Sequence, residues 1–77
     1  MVTVYTKDNC VQCNATVRQL RKLSIPHELV SATDNLDVLK SRGYLTAPVV
    51  HVNTEDYEDW WSGFNVGKIR SLTEVLN

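Results

Sequence analysis

The chain has 77 residues, too few for two hydrophobic cores, so a single domain spanning residues 1–77 is expected. An apolar fraction of 43% and a charged fraction of 22% are those of a folded globular chain and exclude disorder. Eight basic against nine acidic residues leave a formal charge of −1, which argues against a nucleic-acid binder or a polybasic membrane module. No apolar run approaches the roughly 18 residues that span a bilayer. Met1 to Thr6 have neither the basic flank nor the long apolar stretch of a signal peptide, so a cytoplasmic location is expected.

Val2 and Val4 alternate with Thr3 and Tyr5, which predicts a strand over 2–6. Lys7-Asp8-Asn9 is a polar turn. From Val11 to about Ser24 the pattern is helical, with Cys13, Val17, Leu20, Leu23 and Ser24 on one stripe and Arg18, Arg21 and Lys22 facing water. Pro26 ends that helix. His27–Val30 forms a second strand. Thr33 or Asp34 can cap a second helix that runs to about Arg42, with Leu36 and Leu39 inward. Gly43 suits the left-handed position after it. Val49-Val50-His51-Val52 is a third strand and Tyr57–Trp61 a short fourth. Asn65 can cap a last helix carrying Val66, Ile69, Leu72 and Leu76. The order is β-α-β-α-β-β-α, an α/β fold.

The two cysteines, Cys10 and Cys13, are the most informative residues. As a staple they close a very short loop, and loop-closure stabilisation grows with loop length, so chemistry is the better reason for them. Cys10 falls at or just before a helix N-terminus, where unpaired N–H groups and the positive dipole end stabilise a thiolate. Lys7 adds positive charge nearby, and Asp8 opposes it. Cys10 is therefore the expected nucleophile. Cys13 shares a face with Val17 and Leu20 and is the expected resolving thiol. Thiols three apart in a first helical turn are neighbours, so a Cys10–Cys13 disulfide closes with little movement. A zinc site would need two more ligands, and His27 and His51 are not at finger spacing.

Val4-Tyr5-Thr6-Lys7, Cys10-Val11-Gln12-Cys13-Asn14-Ala15-Thr16, Gly43-Tyr44-Leu45-Thr46-Ala47-Pro48-Val49-Val50 and Trp61-Ser62-Gly63-Phe64 together resemble the NrdH-redoxins, which are glutaredoxin-like electron donors. The resemblance implies a thioredoxin fold, a four-stranded mixed sheet flanked by three helices. It implies a monomeric dithiol–disulfide oxidoreductase without a prosthetic group, with NADPH used only by the partner reductase. It also implies thioredoxin reductase as electron source and the catalytic subunit of a class Ib ribonucleotide reductase as oxidant. Neither nucleic acid nor membrane is an expected partner.

The resemblance further implies a cis Ala47–Pro48 peptide facing the dithiol, with the Thr46 and Ala47 backbone open to an extended partner strand. Trp60 and Trp61 are adjacent in a strand, so they point to opposite faces. The functional expectation places Trp61, Ser62, Gly63 and Phe64 beside Cys10 as a docking rim, with Val11 and Gln12 completing it. Ordinary glutaredoxins carry acidic residues after a Gly-Gly near this point, which hold glutathione. Here Phe64 and Asn65 follow Gly63, which disfavours capture of the glutathione amine. Asp56, Glu58 and Asp59 are expected to form a solvated face on an edge strand. The chain departs from the family where a frequent Arg-Pro after Trp-Ser-Gly-Phe is Asn65-Val66, and where a frequent proline after the lysine is Asp8. Two rivals stand beside this reading: a glutathione-dependent glutaredoxin, and a metal or iron–sulfur module built on Cys10 and Cys13.

Overall fold

The computed structural model describes residues 1–76. Four strands, β1 (Val2–Thr6), β2 (Glu28–Ser31), β3 (Val49–Asn53) and β4 (Glu58–Ser62), alternate with three helices, α1 (Val11–Lys22), α2 (Leu36–Ser41) and α3 (Val66–Val75). The strands form one mixed sheet in the order β2-β1-β3-β4. β1 runs parallel to β2, which α1 makes possible as the crossover between them, and antiparallel to β3. β3 and β4 are antiparallel, with Val50 opposite Trp61 and His51 opposite Trp60. This is the expected thioredoxin fold, with every strand and helix within a few residues of its expected place.

The period-two pattern sends Val2, Val4, Val50, Val52 and Trp61 to one face of the sheet. There they pack with Leu20 of α1, with Ile25, and with Ile69 and Leu72 of α3. The other face carries Tyr5, Val49 and Trp60, covered by Leu39 of α2, Ala32 and Tyr44. Fully burying an aliphatic side chain of this size stabilises the fold by roughly 1.5–3 kcal/mol.

Both of the first two helices end in a Schellman motif. In α1, Ser24 takes φ 57°, its N–H donates to Arg21 O, and Ile25 N–H donates to Leu20 O at 2.9 Å. Ser24 therefore stands outside the apolar stripe on which the periodicity had placed it. Thr16 is buried in its stead, its hydroxyl donating to Gln12 O at 2.9 Å. In α2, Gly43 takes φ 82° and Tyr44 N–H donates to Leu39 O, as the sequence predicts. The start of α2 differs from expectation. A 3-10 turn over Thr33–Asn35 precedes it, and Ser31 Oγ, not Thr33 or Asp34, accepts an N–H there, that of Asp34. Leu36 is 46% exposed rather than inward. Asn65 caps α3 as expected, accepting Lys68 N–H at 3.0 Å. It supplies by a side chain the ordering that the missing proline would have given.

Candidate active site

β1 delivers the chain to the exposed turn of Lys7 and Asp8, and Asn9 at φ 57° redirects it into α1. Cys10 is the N-cap residue, in an extended conformation, and its Sγ accepts the N–H of Cys13 at 3.1 Å. Helix N-caps are ordinarily oxygens, because the first-turn N–H groups lack intrahelical partners. A sulfur in that place is held where the helix favours negative charge. Cys10 and Cys13 form a disulfide, with Cα atoms 5.2 Å apart. Cys10 is 8% exposed and Cys13 2%, the order expected of an attacking and a resolving sulfur.

The segment before β3 closes on the pair from the other side. The Ala47–Pro48 peptide is cis, and Ala47 O lies 3.8 Å from Cys10 Sγ. Among the described residues, no backbone hydrogen bond engages Thr46 or Ala47. Pro48 is buried, and its carbonyl accepts Gly63 N–H at 2.8 Å, which fastens the loop after β4 to the same wall. Gly63 takes φ 80°, and Gln12 Oε1 accepts Phe64 N–H at 3.3 Å. Cys10, Gln12, Ala47, Pro48, Gly63 and Phe64 are thus brought together from three separate stretches of chain.

The rim differs from expectation in one respect. Trp61 is 6% exposed and belongs to the core beneath α1 and α3, so it is not a docking residue. The apolar surface around the pair is Val11, 81% exposed, Phe64, 43%, and Leu45, 84%. Leu45 was not singled out from the sequence. Its signal was an aliphatic side chain in the loop between Gly43 and Pro48, where solubility alone would select a polar residue. Ser62 is exposed at the end of β4.

The acidic run is also not one solvated face. Glu58 meets His51 at 2.8 Å on the face where Trp60 stacks on His51. Asp59 points to the opposite face and takes Lys68 of α3 at 2.6 Å. The Lys68 ammonium holds the Asp59 carboxyl below the usual carboxylate range. Asp59 in return raises Lys68. Tyr57, beside them, is raised by burial first and by the Asp59 charge second. Among the described residues no three His, Cys, Asp or Glu side chains gather into a metal-binding group, and no helix is long and apolar enough to cross a membrane.

A thioredoxin fold with a C-x-x-C disulfide capping the first helix defines a thiol–disulfide oxidoreductase. The Glutaredoxin family model matches residues 2–56, and the chain belongs to that family, among its NrdH-redoxins. It is similar to the glutaredoxin-like protein NrdH of Salmonella typhimurium, with 35% identity over 92% of this chain and 86% of the relative. The Escherichia coli NrdH is 30% identical over the same shares. The solved NrdH-redoxin of Escherichia coli superposes with a TM-score of 0.80, covering 92% of each chain at 30% identity. Thioredoxin 1 of Thermosipho africanus, 17% identical, shares the fold with a TM-score of 0.68 over 97% of this chain and 92% of its own.

Proposed function

We propose that this protein is a cytoplasmic electron donor, reduced by thioredoxin reductase, that reduces the catalytic subunit of a class Ib ribonucleotide reductase. The observation that carries the reading is Cys10 as the N-cap of α1, beside an Ala47 whose backbone, among the described residues, no other backbone group engages. In the reduced protein the Cys10 thiolate attacks a sulfur of the partner disulfide. That S–S bond breaks, one partner sulfur leaves and takes a proton, and a mixed disulfide with Cys10 remains. Cys13 then loses its proton and attacks Cys10 Sγ, expelling the second partner sulfur as a thiol. Two electrons pass to the partner, one of its two protons comes from Cys13 and the other from solvent, and no prosthetic group takes part. Thr46 and Ala47 offer main-chain groups to an extended partner segment, in the manner of strand addition. Lys7 favours the thiolate and Asp8 opposes it.

The electron source follows from the rim. A reductase presenting a redox pair on a protein surface needs an apolar landing, and Val11, Phe64 and Leu45 supply one. Glutathione needs an acid for its amine, and Phe64 and Asn65 stand where that acid would be. The solved Escherichia coli relative is described by a thioredoxin-like activity profile, which supports the same reading. The test compares reduction of the oxidised protein by NADPH with thioredoxin reductase against reduction by glutathione with NADPH and glutathione reductase. Efficient, saturable turnover by the first and slow, unsaturable reduction by the second is expected. The reverse result would identify a glutathione-dependent glutaredoxin.

A further inference from the structure

A groove of about 210 Å³ opens on the α2 side of the dithiol. Its apolar lining includes Leu36, Leu39 and Leu45, and its two charged lining residues are Lys7 and Lys40. Leu36 and Leu45, nine positions apart in the chain, are 46% and 84% exposed and come together in the lining of this one groove. Neither lysine makes a salt bridge or side-chain hydrogen bond among the described residues. The acidic residues nearest in sequence, Asp8, Asp34 and Asp37, do not line the groove. The groove adjoins the reaction centre through Ala47, which lines it and whose carbonyl oxygen lies 3.8 Å from Cys10 Sγ.

We propose that this groove receives the stretch of a protein substrate that flanks its reactive disulfide, and that the flank it selects pairs an aliphatic side chain with a carboxylate. The inference rests on the dithiol reading above and adds the chemistry of the substrate to it. An extended segment lying along Thr46 and Ala47 places alternate side chains on this side of the backbone. An aliphatic one covers Leu36 and Leu45, and a carboxylate beside it meets Lys40 at the rim. Two ammonium groups without a lining acid attract an acidic flank and repel a basic one. The discrimination lies at the rim, where an exposed ion pair changes the rate by up to about fivefold and is screened by salt.

The test uses the fully reduced protein in single turnover against two synthetic peptides, each with one internal disulfide. One carries Leu-Ser-Glu flanks and the other Leu-Ser-Lys flanks, so that the aliphatic and the charged side chain fall on the same side of the extended segment. Each rate is divided by that variant's own rate with the uncharged bis(2-hydroxyethyl) disulfide, which cancels changes in thiol reactivity. The acidic peptide should react about fivefold faster at low salt, and the preference should collapse in high salt. Lys40→Glu should abolish or reverse it, and Lys40→Gln should reduce it. Lys22→Glu, an equal charge change in the last turn of α1, should leave it in place. Equal rates for the two peptides with the wild type would overturn the proposal. So would an equal loss of preference in Lys22→Glu, which would make it a net-charge effect. Failure to reduce any disulfide, the uncharged one included, would instead overturn the redox reading and this inference with it.

Discussion

Gln12 Oε1 accepts the backbone N–H of Phe64 at 3.3 Å, joining the redox motif to the loop after β4 across 52 positions of chain. The same oxygen lies 3.2 Å from where a Cβ on Gly63 would stand, and Gly63 has φ 80°. The loop geometry therefore depends on a side chain lying between the two cysteines.

A double-mutant cycle measures that dependence. Gly63→Ala should cost about 1 kcal/mol for the left-handed backbone, plus the displacement of the Gln12 amide. Gln12→Ala alone should cost about 0.5–1 kcal/mol, because water can take over the exposed Phe64 N–H. In the Gln12→Ala background the alanine at 63 no longer meets the amide. Its cost should then be smaller than in the wild type, a coupling readable from urea midpoints. Strict additivity would show that the Gln12 side chain does not constrain the loop.

The thiol roles are separable by trapping. Cys10→Ser should lose disulfide reduction, because Cys13 is 2% exposed and cannot reach a partner sulfur. Cys13→Ser should still attack but have no thiol to release the product. Mass spectrometry with a disulfide partner should find a stable mixed disulfide on Cys10 in Cys13→Ser only. A mixed disulfide in Cys10→Ser and none in Cys13→Ser would exchange the two roles.

Much of this arrangement could be read from the sequence because it is local. The alternation of Val2 and Val4, and of Val50 and Val52, matches the strand period. Cys10 falls where a strand turns into an amphipathic helix, and Gly43 and Asn65 are ordinary end signals for helices. What could not be read was set by distant partners. Trp60 and Trp61 are equivalent in a strand pattern. Which one is core depends on α1 and α3 both lying on the Trp61 face, and strand periodicity carries no information about that. Thr16 reads as a polar surface residue until its hydroxyl is seen to bond back to Gln12 O. Asp59 reads as one of three solvated acids, and only α3 reveals its partner.

That partner gives stability a pH dependence. Lys68 holds Asp59 below the ordinary carboxylate range in the folded state, so the unfolded chain takes up the proton more readily. The contribution is present above the unfolded carboxylate value and is lost as pH falls through the depressed folded one. Lys68 and Tyr57 act at the other end. Both are raised, so their contributions are present below their unfolded values and lost as pH rises through the folded ones. The Asp59 and Lys68 side chains are 26% and 43% exposed, and solvent screening limits the pair to at most about 1 kcal/mol. Lys68→Met should reduce the difference between the urea midpoints at about pH 7 and about pH 3 relative to the wild type. An unchanged difference would show that the ion pair is not coupled to folding.

Trp61 and Phe64 should fail in different assays. Trp61 is packed with Val50, Ile69 and Leu72, so Trp61→Ala removes a large core side chain and should cost about 3–5 kcal/mol of folding stability. Activity with thioredoxin reductase and with glutathione should then fall together, in proportion to the unfolded fraction seen by circular dichroism. Phe64 is 43% exposed and Val11 81%, so Phe64→Ser and Val11→Ser should leave the urea midpoint nearly unchanged. Aromatic anchors concentrate interface energy, and losing the Phe64 ring should lower kcat/KM with the reductase by about tenfold or more. The glutathione rate of Phe64→Ser should change far less, because that reaction does not need a protein landing. The decisive quantity is the ratio of the two rates, which Trp61→Ala should preserve and Phe64→Ser should shift toward glutathione. A ratio that moves in Trp61→Ala and stays fixed in Phe64→Ser would return the docking role to the tryptophan.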